Sequence, residues 1–76
     1  VIEWRLQACM AEAGIRFATD LRRRLVDVLG EDLSPSEAHV SRLVRTRPER
    51  LNLTILDGLC VALGCAPGDL LRHRPS

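Results

Sequence analysis

The chain has 76 residues, which gives room for one small domain spanning residues 1–76. Hydrophobic residues make up 46% of it and aromatic residues only 3%, so the core must come from Leu, Val, Ile and Ala; at this size such a core supplies about 3–5 kcal/mol of net stability. A net charge of +1 argues against a polybasic coat for nucleic acid or membrane, and no segment approaches the roughly 18 apolar residues of a membrane span.

The first predicted helix covers residues 2–13. Ile2, Leu6, Cys9, Met10 and Ala13 recur with helical period, and Gly14 follows as a C-terminal stop. Trp4, Ala8 and Ala11 form a second, smaller apolar stripe, suited to packing within the domain or to pairing with another copy. Glu3 and Arg5 stand where a signal peptide would carry its apolar run, so a soluble, cytoplasmic protein is expected.

In the second helix Phe17, Leu21, Leu25 and Val28 recur at spacings of three and four, with Thr19 or Asp20 near the start and Gly30 at the end. Arg22, Arg23 and Arg24 cannot all enter a core. Solvation, with pairs such as Arg23 to Asp27, accounts for at least two of them. Residues 31–36 then turn the chain and offer two helix starts. In one, Ser34 caps, Pro35 takes the first helical position and Glu37 completes a capping box, with Leu33 and Ala38 placed as a hydrophobic staple. In the other, Ser36 caps.

The third helix, Ser36 to about Arg45, has a divided surface. Val40, Leu43 and Val44 make a buried stripe, while Ala38, Ser41, Arg42 and Arg45 share the opposite face. Small residues let a helix approach base edges closely, and Arg can bind guanine bidentately or neutralise a phosphate, so this face suits a DNA groove. Pro48 biases Arg47 away from helical angles, and residues 46–50 read as a loop. All 11 basic residues are Arg, a bias that fits GC-rich coding, and Arg42, Arg45, Arg47 and Arg50 gather with only Glu49 opposing them.

Asn52 is the expected N-cap of a fourth helix, the spine of the core, in which Leu53, Leu56, Leu59, Cys60 and Leu63 form the buried stripe and Gly64 closes the end. Pro67 opens a short fifth helix with Asp69 complementing its dipole and Leu70 and Leu71 as its apolar positions; Arg74-Pro75 ends it. No segment alternates like a strand, so the fold class expected is all-α, a bundle of five short helices. Cys9, Cys60 and Cys65 are odd in number and lack CxxC spacing, which points to buried free thiols in a reducing compartment, with no metal and no cofactor.

At Ser36 to Thr46 the sequence resembles the recognition helix of the phage-repressor (Cro and lambda-repressor, XRE-like) helix-turn-helix family. That pattern is a capping Ser or Thr, three polar residues, an Ile or Val, two polar residues and an Ile or Leu; Ser36, Val40 and Leu43 fill it in turn. Downstream, Pro48-Glu49-Arg50-Leu51-Asn52-Leu53, Leu59-Cys60, Leu63-Gly64-Cys65 and Pro67-Gly68-Asp69-Leu70-Leu71 look like the ending of short actinobacterial regulators of this type. The resemblance implies a compact five-helix bundle of the lambda-repressor-like DNA-binding type, with helix three in the major groove of double-stranded DNA and helix two across the backbone. Carried over by position, Glu37, Ala38, Ser41 and Arg42 face base edges, while His39, Arg45, Thr46, Arg47 and Thr19 approach phosphates. Of these, Arg42 is the expected base reader, and Glu37 also serves the helix dipole.

The sequence departs from the family pattern at three points. The stretch from Leu21 to Ser36 is long, so the second helix or its turn must be extended. Arg22 replaces a small residue at the helix–helix contact, and Ala66 stands where a capping Thr or Ser is usual.

An enzyme is not expected, because His39 and His73 lack spaced carboxylate or Cys partners. The rival function is a protein-interaction module, in which Trp4, Ile55, Val61 and Leu71 bind a partner such as a toxin or recombinase. One short helix contacts few base pairs, so a homodimer on DNA is expected, paired through the Trp4, Ala8, Ala11 stripe or the Leu70-Leu71 helix.

Overall fold

Five helices and a two-stranded ribbon make up the computed structural model, which describes residues 1–75. In chain order they are β1 (Ile2–Trp4), α1 (Leu6–Glu12), α2 (Ala18–Leu29), α3 (Glu37–Arg45), α4 (Leu53–Leu63), α5 (Pro67–Leu70) and β2 (Leu71–His73). Leu21 and Leu25, one turn apart on α2, are fully buried, and α2 packs extensively against both α3 and α4. The core is completed by Leu6, Cys9 and Met10 of α1, Ile15, Val40 and Leu43 of α3, the inner face of α4, and Leu70.

The helical bundle is as expected, but the two ends of the chain are not helical. Ile2, Glu3 and Trp4 pair antiparallel with His73, Arg72 and Leu71, and the ladder is extended by the Arg5 amide donating to the Leu70 carbonyl at 2.8 Å. The first helix therefore starts at Leu6, and the fifth stops at Leu70. Trp4 does not share a helix with Ala8 and Ala11, so the apolar stripe expected there does not form. Each terminal segment is too short to show a strand period, and each satisfies much of its backbone through the other.

On α4 the phase of the buried face also differs. Ile55, Gly58, Leu59, Ala62 and Leu63 point inward, while Leu53 is 77% exposed. Ile55 is thus part of the core and unavailable to a partner. Gly58 marks the close crossing with α2, because a Cβ there would lie 2.6 Å from Leu29 Cδ1. Asn52 caps α4 by accepting from the Ile55 amide at 2.8 Å, and Gly64 closes it in the left-handed region at φ 64°. Phe17 and Val28, expected inside, lie on the surface. At α5 the Asp69 carboxylate accepts from the Ala66 amide at 2.9 Å, so half of a capping box survives without a Ser or Thr.

All three cysteines are free thiols; Cys9 is buried, whereas Cys60 and Cys65 are half-buried. Burial, reinforced by Cys9 and Cys60 beside it, pushes the Cys65 thiol from its ordinary 9.0 up to about 12, and burial raises Cys60 as well.

Replacing Leu59 by Ala should cost about 2–5 kcal/mol, enough to unfold much of the population, whereas Leu53→Ala should cost about 0.5 kcal/mol or less. Urea unfolding of the two variants measures both. The raised thiols bind protons more tightly folded than unfolded, so their contribution is complete below pH about 9 and lost as pH climbs toward about 12. Melting temperature in a reducing buffer should be flat below that window and fall within it, less steeply in Cys65→Ala.

Candidate nucleic-acid interface

The N-terminus of α3 is set by Ser36. Its backbone is extended, and its Oγ accepts from the His39 amide at 3.1 Å. Ser34, the competing cap, instead donates its hydroxyl to the Gly30 carbonyl at 2.7 Å. The helix consequently begins at Glu37, an exposed residue that places a carboxylate at the positive end of the helix dipole.

Burial divides α3 as the spacing predicted. Val40 and Leu43 are buried and Val44 is half-buried, which turns Ala38, His39, Arg42 and Arg45 outward with the half-buried Ser41 among them. His39 and Arg42 share a shallow depression with Leu43, Thr46, Arg47, Pro48, Glu49 and Arg50, so the helix face continues into the following loop. Among the described residues none of Arg42, Arg45, Arg47 and Arg50 is ion-paired. Arg50 joins the group although only the charge cluster in the sequence hinted at it.

Several of these side chains already have internal bonds. Thr46 donates both its amide, at 2.9 Å, and its hydroxyl, at 3.1 Å, to the Arg42 carbonyl. Arg45 Nε donates to the Ser41 carbonyl at 3.4 Å, and Arg47 Nη1 donates to the Ile2 carbonyl at 2.9 Å. Each guanidinium keeps further N–H groups for an anion, since Arg carries five. Thr19 lies exposed in the first turn of α2 and lines a depression with Arg22, Arg23, Val26, Glu31 and Glu37, so the starts of α2 and α3 adjoin.

The expected extension between the second and third helices is real. α2 runs for 12 residues and is followed by the turn 30–36. Gly30, at φ 83°, reverses the chain. Arg22 then holds the turn: its Nε donates to the Pro35 carbonyl and its Nη2 to Glu31 Oε1, both at 3.0 Å. Arg24 Nη1 donates to the Ala62 carbonyl at 3.3 Å, and Arg23 sits 3.7 Å from Asp20 rather than pairing with Asp27. Two of the three arginines are therefore structural ties.

Residues 5–76 match the Cro/C1-type HTH DNA-binding domain family. An uncharacterised HTH-type transcriptional regulator of Bacillus subtilis (strain 168), YozG, is 34% identical over 53 residues, covering 70% of this chain and 63% of that protein. The matched part of the chain thus spans under two thirds of the relative's length. No solved structure matches. No helix among the described residues is long and apolar enough to cross a membrane. The family match takes in all five helices, including the capped and outward-facing α3, and the chain belongs to the Cro/C1-type helix-turn-helix DNA-binding domain family.

Proposed function

We propose that the chain reads an operator in double-stranded DNA as a transcriptional regulator, with α3 in the major groove. The observation that carries this reading is the face of α3, small and cationic on the side opposite Val40 and Leu43, with four arginines in and just beyond it that form no ion pair among the described residues. Ala38, Ser41 and Arg42 meet base edges, with Glu37 at the rim serving mainly the helix dipole. His39, Arg45, Arg47 and Thr19 approach phosphates. Thr46, whose amide and hydroxyl protons are both engaged, lies beside that path and shapes it. The reading assigns the chain no catalysis, and acting on chromosomal DNA puts it in the cytoplasm. The B. subtilis relative, named as an HTH-type transcriptional regulator, supports it, and the all-Arg basic set and the 48–71 ending favour an actinobacterial type.

The working form on DNA is a homodimer. A helix of nine residues contacts too few base pairs to single out an operator among roughly 10⁶ competing sites, whereas two copies read half-sites about 34–36 Å apart. Trp4 and Leu71 pair with each other inside the protomer and Leu70 is buried, so these residues are largely engaged. Leu53 and Val61, 77% and 59% exposed on α4, are better placed to meet a second copy.

Arg42→Ala should cost about 1–3 kcal/mol and relax preference at one base pair, while Arg45→Ala should weaken all sequences alike and make the salt slope shallower by about one unit. Fluorescence anisotropy on a selected operator and its single-base variants at several salt concentrations measures both; an Arg42 variant with unchanged preference refutes the recognition-helix assignment. A binding affinity that barely responds to salt would favour the protein-interaction reading instead. Sedimentation should give two protomers per inverted repeat and much weaker binding to one half-site. An equally tight 1:1 complex on the half-site rules the dimer out, and loss of pairing in a folded Val61→Asp variant places the interface.

A further inference from the structure

Pro48 creates a problem at the end of α3. Proline has no N–H, so the Val44 carbonyl finds no donor four residues on, and Arg47 before it is driven out of helical angles. Thr46 has already left the helix, with φ −138° and ψ 153°, so the Arg47 amide cannot return to the Leu43 carbonyl, which loses its partner as well. Helices usually leave such carbonyls to water or to a local cap. Here two side chains from the other end of the sequence take them: Trp4 Nε1 donates to the Leu43 carbonyl at 2.8 Å, and Gln7 Nε2 donates to the Val44 carbonyl at 2.6 Å. A third link returns from the loop, Arg47 Nη1 to the Ile2 carbonyl at 2.9 Å.

We propose that Trp4 and Gln7 are positioning residues for DNA reading, fixing the roll and axial position of α3 from its C-terminal end. The proposal rests on α3 being the recognition helix. The apolar seat of α3 is short, Val40 and Leu43 fully inside and Val44 half-buried beside them, and the N-terminal end is located by the Ser36 cap and by Arg22 on Pro35. A nine-residue helix seated on so short a stripe can still roll about it. Successive carbonyls sit about 100° apart around a helix axis, so donors on two neighbouring ones fix rotation as well as height.

Trp4 can act as an anchor because β1 is itself fixed by β2, and Gln7 because it rides on α1, whose Leu6, Cys9 and Met10 are buried. Base contacts need their donors within about 0.5 Å of the productive geometry, whereas a phosphate contact through a long Arg tolerates more. Loss of the two donors should therefore harm sequence reading far more than general attraction to DNA.

The double variant Trp4→Phe/Gln7→Met keeps apolar bulk at both positions and removes both donors. Against the duplex that the wild type selects from a random-sequence library, its affinity should fall about twenty-five-fold, about fivefold for each lost hydrogen bond. Against random duplex at the same salt it should change less than about twofold. A selected-to-random ratio equal to that of the wild type overturns the proposal, because a purely structural role would lower both affinities together. If circular dichroism shows the double variant unfolded, Gln7→Met alone, at an exposed position, should still lower the ratio about fivefold, and an unchanged ratio there overturns the proposal equally. A wild type that enriches no sequence refutes the recognition-helix assignment itself, a result distinct from a wild type that selects and a variant that reads as well.

Discussion

Leu21 and Leu25 bind the bundle together because α2 is the helix that touches both α3 and α4 along its length. No aromatic ring is fully buried among the described residues, Trp4 packing only at the edge of the core, and two leucines at consecutive turns join the two flanking helices at its centre. The direction of α3 follows from this seat. Val40 and Leu43 must face the core, and the residues on the far side are then presented outward, with only a local bond from Arg45 to the Ser41 carbonyl among them. What this surface presents is therefore a by-product of where the apolar stripe sits, and any shift of the stripe by one residue would turn Arg42 toward the flank.

The long turn between α2 and α3 would loosen that seat if it were held only by its ends. Arg22 offsets this by reaching across to Pro35 and Glu31, so the side chain that departs from the small-residue pattern and the lengthened turn form one compensated feature. The carbonyl it caps immediately precedes the Ser36 cap, which links the phase of α2 to the start of α3 through a single residue. The Pro35 ring is buried there, stiffening the same junction.

Local chemistry made much of this legible in the sequence. Ser36, Asn52, Gly30 and Gly64 act at the helix ends where their side chains, or the lack of one, place them, and the division of α3 follows its period. The errors share a cause. Ile2 and Trp4 fit a helical spacing by chance, and their strand partners stand at the far end of the chain, where no local pattern reaches. α4 is apolar almost all round, so its period did not fix its phase; Gly58, small enough to admit Leu29 of α2, lies on the inner face, Leu56 is half-buried against the core, and Leu53 is left outside. Glu37, His39 and Thr46 were visible as polar neighbours of the recognition face, but which of their protons are already engaged depends on geometry, as the two bonds from Thr46 to Arg42 illustrate.

The ribbon that joins Ile2–Trp4 to Leu71–His73 has a consequence in time as well as in space. Its strands meet only after nearly the whole chain has been laid down between them, so its closure carries the largest loop entropy in the molecule, while the contacts of α2 with α3 and α4 close much shorter loops. The helices thus have reason to assemble first and the ribbon to zip last. In reverse, the ribbon is the natural place for the fold to begin opening, and such an opened species would keep its helices. DNA that binds only the closed arrangement would draw this equilibrium shut by mass action, so the final step of assembly and the act of recognition become a single coupled event.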